Sequence, residues 1–334
     1  MRAIVYRRYG PPDVLELTEL DRPTANAGEV LVQVVAAAVN PGDWDFMHGT
    51  PYILRPMIGL RRPRDPILGL AIAGRVEAAG TGATMLRVGD EVAAEVRRGG
   101  FAEYVSVPTP ALVEKPARVT FEQAAAMPVV GTTALKALRD VARLQPGQSV
   151  LVNGAAGGLG TFAVQIAKGL GAEVTGVGSA ASVALLRSIG ADHVIDYTAE
   201  DFTRGGRRYD VILDNVGNRS PSELRSALSR TGILLTNSNK GGGRWIGRYL
   251  QRAGQAMVLS PFVSQRLRPM AAPASRDDLA ALMELVEIGR VTPVIDRTFP
   301  LAQVADALRY YGTGHAHGKV IISVAGGATR DGHN

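Results

Sequence analysis

Val150-Leu151-Val152-Asn153-Gly154-Ala155-Ala156-Gly157-Gly158-Leu159-Gly160 is the stretch whose reading decides the fold. Three apolar residues open it as a buried strand. Leu159, Phe162, Ala163, Ile166, Ala167 and Leu170 then recur at helical spacing, with Gly171 as the stop. A glycine-rich turn between a strand and a helix presents backbone N–H groups and a helix N-terminus to a pyrophosphate. Aligned on its last glycine, the turn reads Ala-x-Gly-x-x-Gly, with Ala155 where the dinucleotide fingerprint has its first glycine. Gly157 lets the phosphate approach the backbone, and Gly160 lets the helix lie close to the strand. Ala156, Gly157, Gly158 and Leu159 are therefore the first cofactor-binding candidates.

The alternation continues downstream. Strands are expected at Val174–Val177, His193–Ile195, Val211–Leu213 and Ile233–Leu235, with a helix from Val183 to Ile189. Ser220-Pro221-Ser222-Glu223 spells a capped helix start. Strands alternating with helices of this length predict βαβ units and a parallel sheet. Open sheets of this kind bind ligands at their carboxyl edge, where Asn215, Asn237 and Ser238 end successive strands. The second strand ends in Gly178-Ser179-Ala180-Ala181-Ser182. It lacks the carboxylate that would hold a ribose 2′-hydroxyl and repel a 2′-phosphate. Ser179 and Ser182 offer donors beside Gly178, although no arginine or lysine adds a cationic clamp. This pattern favours NADP(H) over NAD(H). Helix capping at Val183 is the competing role for each serine.

Before residue 120 the chain reads as short strands punctuated by glycine and proline, the mark of an irregular barrel. Thr120-Phe121-Glu122-Gln123 spells a capping box, and Ser275-Arg276-Asp277-Asp278 starts another helix. A strand at Val294–Asp296, a helix from Leu301 to Tyr311 and a strand from Val320 to Val324 follow. The 334 residues allow two domains. There is no cysteine, which removes disulfides, thiolate catalysis and cysteine-ligated zinc. No apolar run reaches the roughly 18–20 residues of a membrane span, and Met1–Tyr6 reads as the first strand of a cytoplasmic protein. Lysine and arginine number 37 against 31 acidic residues, for a net charge of +6. Only five are lysine, so the bias reflects composition more simply than a nucleic-acid footprint. The basic stretch Arg55–Arg64 reads as a solvated loop, with an anionic ligand or partner as the alternative. Residues 325–334 read as a disordered tail.

Further tags occur in order: Ala38-Val39-Asn40-Pro41-Gly42-Asp43-Trp44, Gly89-Asp90-Glu91-Val92, Gly100-Phe101-Ala102-Glu103-Tyr104-Val105, Gly131-Thr132-Thr133-Ala134, Gly190 to Tyr197, Val291 to Asp296 and Gly314 to Val320. With the glycine turn, they make the chain resemble the zinc-free quinone-oxidoreductase (zeta-crystallin-like) branch of the medium-chain dehydrogenase/reductase superfamily over residues 1–324. The resemblance implies an α/β fold. A Rossmann doubly wound parallel sheet domain (124–264) would be inserted into a GroES-like irregular β-barrel catalytic domain (1–123 and 265–324). It also implies a homodimer with its site in the cleft, reducing a small quinone or enone with NADPH, and no nucleic-acid or membrane partner.

On the same basis Asn40 and Asp43 lie on the loop facing the nicotinamide, and Tyr52 is the proton-donor candidate. Thr133 contacts the nicotinamide side, Tyr197 lies at the adenosine ribose phosphate, and His315 and Ala316 close over the cofactor. Helix capping competes for Asp43, and surface packing for Tyr52. Where zinc-dependent relatives carry ligands, this chain has Asn40, Leu70 and Val129-Val130, which offer no thiolate or imidazole. No metal is expected. Ala71 stands in place of the acidic residue of the relatives' Gly-Thr-Asp-Val-Ala-Gly. Ala181 stands near a position where close relatives have arginine, and His317 replaces another arginine. An NADPH-binding sensor without turnover and an NAD(P)-dependent alcohol dehydrogenase are the alternatives.

Overall fold

Alternation of small apolar residues shapes the N-terminal half in the computed structural model, which describes residues 1–237, 244–247, 251, 254–255, 263–270 and 275–324. Arg2–Tyr6 (β1) pairs antiparallel with Leu15–Glu19 (β2). Glu29–Ala38 (β3) leads into helices Pro41–His48 (α1) and Arg55–Ile58 (α2). It pairs antiparallel with Ala71–Ala79 (β4), which pairs with Glu91–Glu95 (β5). Tyr104–Pro108 (β6) joins β3, and Leu112–Glu114 (β7) joins β5. Successive side chains in a strand point to opposite faces. Val32, Val34, Ile72, Val76, Val92 and Ala94 thus face the barrel core. Ala71, Ala73 and Ala93 face the other way, beneath helix Phe121–Ala126 (α3), and the irregularity in β3 between Val34 and Ala36 turns Ala36 and Ala38 to that same face. Alanines at these positions let the helix lie close against the sheet. Thr120 and Gln123 cap α3 reciprocally, as their spacing predicts.

Helix Val130–Lys136 (α4) leads into the parallel sheet. Its strands are Ser149–Asn153 (β8), Glu173–Gly178 (β9), His193–Asp196 (β10), Tyr209–Asp214 (β11), Leu228–Thr236 (β12) and Arg266–Pro269 (β13). Helices Gly158–Gly169 (α5), Val183–Ser188 (α6) and Pro221–Ser226 (α7) make connections between them. The order β10-β9-β8-β11-β12-β13, parallel throughout, is doubly wound, with its switch point between β8 and β11. The return to the barrel expected at residue 265 is corrected here. Ile233 to Thr236 pair with Arg266 to Pro269, so the parallel sheet continues through residue 269. Only Leu267 of Arg266-Leu267-Arg268 is buried, and so short an apolar signal does not read as a strand.

Beyond it come helix Arg276–Glu287 (α8), strand Ile295–Pro300 (β14), helix Val304–Thr313 (α9) and strand Lys319–Ser323 (β15). β14 runs four residues past the expected Asp296. β15 pairs parallel with β14 and antiparallel with β3, bringing the chain back to the first sheet. The expected disordered tail lies outside the described residues. Among the described residues no helix is long and apolar enough to cross a membrane.

α8 buries Leu279, Leu282 and Met283 and lies against α4. Asp278 fixes this contact. Its carboxylate accepts hydrogen bonds from the Ser275 backbone and hydroxyl and from Arg139 at 2.6 Å, and pairs with Lys136 at 3.3 Å. Burial alone raises its pKa, but these donors outweigh that and hold it at about 2, below the ordinary 3.8. A depressed carboxylate pKa stabilises the fold above the unfolded value, and the benefit disappears as pH falls through the folded one. Asp278→Asn is expected to cost about 2 kcal/mol at neutral pH. The gap from wild type should close as pH falls from about 4 towards 2, which urea titrations at neutral and acid pH check.

Candidate active site

β8 delivers its carboxyl end to the glycine turn at the switch point of the sheet. Gly160 is required sterically: a Cβ there would stand 2.2 Å from the Gly154 carbonyl oxygen and 2.6 Å from Ala155 Cα. Gly157 is the N-cap of α5 and provides no side chain, so no cap competes for the first-turn N–H groups. Those amides and the dipole of a 12-residue helix favour a phosphate. Asp214, buried at the end of β11, shapes the neighbouring loop. It accepts hydrogen bonds from Asn153 Nδ2 at 2.8 Å and from the Gly217 N–H at 3.0 Å. Beside it, Asn215 has a buried side-chain amide with no partner among the described residues, and so does the Thr236 hydroxyl. Unpaired polar atoms at this edge are groups that a bound ligand satisfies. The donor set fits a dinucleotide.

The expected ribose contacts divide. Ser179 is half-buried at the end of β9, and the Tyr197 N–H bonds to the Gly178 carbonyl at 3.0 Å, placing the exposed Tyr197 ring beside that edge. Ser182 is a correction. It is fully buried and its hydroxyl donates to the Ser179 carbonyl at 2.7 Å, so it faces inward rather than towards a 2′-phosphate. It does not cap α6 through its side chain either. Asp196 ends β10 opposite Gly178. The Thr198 N–H and hydroxyl, and the Ala180 N–H, hold its carboxyl below the ordinary range. The carboxylate absent from β9 thus arrives from the neighbouring strand, which a reading of one strand end misses.

Asn40 and Asp43 meet at the start of α1, and both are fully buried. The Asn40 N–H donates to Asp43 Oδ2 at 2.9 Å, and the Gly69 N–H to Oδ1 at 2.9 Å. Asp43 therefore has the capping role and also anchors the strand entering β4. Asn40 Nδ2 donates to the Ala38 carbonyl, while its Oδ1 accepts from Lys319 Nζ at 2.7 Å. Lys319 Nζ donates to the Val39 carbonyl as well, at 2.7 Å. Burial pushes the Asp43 carboxyl up to about 7 and pulls Lys319 down to about 7, each opposed by the other's charge. The available signal for Lys319 was a lone cation opening the otherwise buried run Val320-Ile321-Ile322. Its neighbour Gly318 donates to the Ala156 carbonyl at 2.8 Å, so the C-terminal segment clasps the phosphate turn.

Thr133 is half-buried, and its hydroxyl donates back to the Val129 carbonyl at 2.7 Å. Tyr52 is half-buried in the turn that precedes α2. Its ring meets Trp245 edge-on at 5.5 Å, with the Arg55 and Arg244 guanidinium groups 4.4 and 5.3 Å from the ring centre. This is the packing alternative for Tyr52. Asn237 donates its backbone N–H to the Asp214 carbonyl at 3.0 Å, while Ser238 lies outside the described residues. His315 is exposed, and Ala316 rests against the barrel core. For zinc the donors do not fit: Asn40 has committed its amide to Ala38 and Lys319, Leu70 has no ligand atom, and the chain has no thiol.

Residues 26–117 match the alcohol dehydrogenase GroES-like domain, and residues 189–322 a family described as zinc-binding dehydrogenase. The chain is 32% identical to the mitochondrial NAD(P)H oxidoreductase RTN4IP1 of Mus musculus, over 97% of this chain and 89% of that protein. It is 31% identical to the chloroplastic NADPH-dependent alkenal/one oxidoreductase of Arabidopsis thaliana, over 96% and 79%. The solved quinone oxidoreductase of Coxiella burnetii superposes with a TM-score of 0.85 at 27% identity, over 97% of this chain and 99% of that one.

Two substitutions test this geometry. Gly160→Ala is expected to lower the melting temperature and weaken NADPH binding at least about tenfold, read by thermal denaturation and fluorescence titration. Lys319→Met leaves the Val39 carbonyl and Asn40 Oδ1 buried without their donor. It is expected to cost about 2–6 kcal/mol in urea denaturation, since each of the two stranded acceptors costs about 1–3 kcal/mol.

Proposed function

Because the chain belongs to the zinc-free quinone-oxidoreductase branch of the medium-chain dehydrogenase/reductase superfamily, we propose that it reduces a small quinone or α,β-unsaturated carbonyl with NADPH. The observation that carries this reading is a dinucleotide turn joined to a loop whose Asn40 is committed to a lysine rather than to a metal. Alcohol oxidation in this setting relies on a Lewis acid, whereas a polarised double bond accepts hydride without one. When bound, the reduced nicotinamide supplies that hydride. The chain's own residues bind and orient. Amides of Ala156 to Leu159 take the pyrophosphate, while Asn215 and Asn237 line the carboxyl edge. Thr133 offers its hydroxyl oxygen to the nicotinamide side.

Ser179 and Tyr197 favour a 2′-phosphate. A second reading, NAD(H), is favoured by the Asp196 carboxylate, which lies one strand away from the same edge. A homodimer is part of the proposal.

Anaerobic NADPH oxidation, followed by absorbance with a chelator present, tests the proposal against one small quinone and one small enone. Turnover of at least one is expected, unchanged by the chelator and faster with NADPH than with NADH. NADH preference would transfer the ribose role to Asp196. Bound NADPH without turnover of either acceptor would overturn the reductase reading and favour a sensor. Chelator-sensitive oxidation of a simple alcohol would favour the dehydrogenase.

A further inference from the structure

Two stretches of the sequence are basic and free of acidic residues. Phe46 to Arg64 holds four arginines and no aspartate or glutamate, and Leu224 to Arg276 holds nine basic residues and again no acidic one. The fold brings parts of the two together. The Tyr52 N–H donates to the Arg244 carbonyl at 2.7 Å, and the Ile53 N–H to the Trp245 carbonyl at 3.0 Å. A turn of the barrel half thus pairs with a segment that follows β12. The geometry points to a docking surface for an anionic lipid membrane, formed by the Ile53–Arg64 loop and Arg244–Ile246. It does not depend on the substrate proposed above.

The surface is held in shape from beneath. Arg55 lies between the Tyr9 and Tyr52 rings, 4.7 and 4.4 Å from their centres, and its Nε donates to the Gly49 carbonyl at 3.0 Å. The Tyr9 hydroxyl donates to the Gly59 carbonyl at 2.6 Å, and the Arg64 N–H closes the loop on the Ile58 carbonyl at 2.8 Å. Held in this way, the loop exposes side chains that a fold ordinarily hides. Ile53, Met57 and Leu60 follow the i, i+4, i+7 spacing of one helical face, and all three are exposed. With Trp245 and Ile246 they make five of the eleven large apolar residues exposed among the described residues, and Trp245 is 74% exposed. Apolar residues scattered singly need no explanation, whereas a cluster marks an interaction site. Arg61, Arg62 and Arg64 follow Leu60 directly, and Arg244 precedes Trp245. All four are exposed, and none forms an ion pair among the described residues.

Apolar side chains flanked by arginines match the boundary between acyl chains and phosphate headgroups. The apolar groups enter the hydrocarbon edge while the guanidinium groups stay with the phosphates. An indole ring favours the same boundary. A nucleic acid would engage the arginines and leave five apolar side chains in water. A second copy of the chain on the same surface would set arginine against arginine, with Asp65 the nearest acidic residue in the sequence. Among the described residues no helix is long and apolar enough to span a membrane, so the contact is peripheral. The family resemblance implied no membrane partner, but neither segment belongs to the motifs that carry it.

The test uses the full chain and vesicles of phosphatidylglycerol and phosphatidylcholine in equal parts, with vesicles of phosphatidylcholine alone as the comparison. Binding is read by flotation and by tryptophan fluorescence. Wild type is expected to float with the anionic vesicles and not with the neutral ones, and its emission should move to shorter wavelength. The other tryptophan, Trp44, is half-buried beside Tyr311, so Trp245→Ser should abolish that shift. Arg61→Ser, Arg62→Ser and Arg64→Ser combined should weaken vesicle binding about 100-fold, at about fivefold for each arginine near an anionic surface. Met57→Ser should weaken it about tenfold through lost apolar burial. Each variant should keep the wild-type affinity for NADPH, which separates a lost surface from a lost fold. Absence of wild-type binding, equal binding to both kinds of vesicle, or undiminished binding by the triple variant would overturn the assignment. A short DNA duplex that displaces the protein from vesicles and binds it without a fluorescence shift would overturn it in favour of nucleic acid. A wild-type assembly that Met57→Ser disperses, with no vesicle binding, would overturn it in favour of a second copy. If the triple variant does not fold, Met57→Ser and the comparison of the two kinds of vesicle decide.

Discussion

The clasp at Gly318–Lys319 is the contact on which the two halves of the site depend. The Gly318 N–H holds the Ala156 carbonyl within the phosphate turn, and the next residue places its ammonium on Val39 and Asn40. One dipeptide thereby sets the glycine turn against the loop that enters α1. Glycine is demanded at 318 by a backbone φ of +108° and by the Val294 carbonyl oxygen, which would lie 2.4 Å from an added Cβ. At Gly158 an added Cβ would stand 2.9 Å from the Lys319 Cδ, so the lysine stem also runs past the turn.

The electrostatics of this region follow from burial. Asp43 and Lys319 are carried deep into the protein, and each loses hydration that favours its charged form. Backbone N–H groups offset part of that loss for Asp43, as do the Val39 and Asn40 oxygens for Lys319. A polar network of this kind is costly when only partly satisfied. It explains why Asn40 and Asp43 are built into the framework of the cleft.

Much of this was legible in the sequence because local patterns carry it. The glycine turn, the capping boxes at Thr120, Ser220 and Ser275, and the apolar runs of β8, β11 and β12 state their own conformations. The less legible features depend on neighbours distant along the chain. β13 has one buried residue and becomes a strand through its pairing with β12. Ser182 reads as a ribose donor until the carbonyl of Ser179 is seen to take its hydroxyl. Asp196 reaches the carboxyl end of β9 through lateral pairing with Gly178, and Glu95 joins Ala71 in the same way. Such lateral relations have no period that a linear reading detects.

The Lys319–Val39 bond has a consequence for the order of assembly. It joins positions 280 residues apart, and one of them belongs to the last strand described. During synthesis the glycine turn and the strands of the parallel sheet emerge before that strand does. The barrel sheet meanwhile waits with one side of β3 unpaired by β15. Closing so long a loop comes at an entropic cost that is recovered only once the non-local contacts form. Vectorial synthesis therefore completes the nucleotide platform first and its junction with the barrel last. The nascent chain can possess a pyrophosphate cradle before it possesses an enclosed reaction chamber.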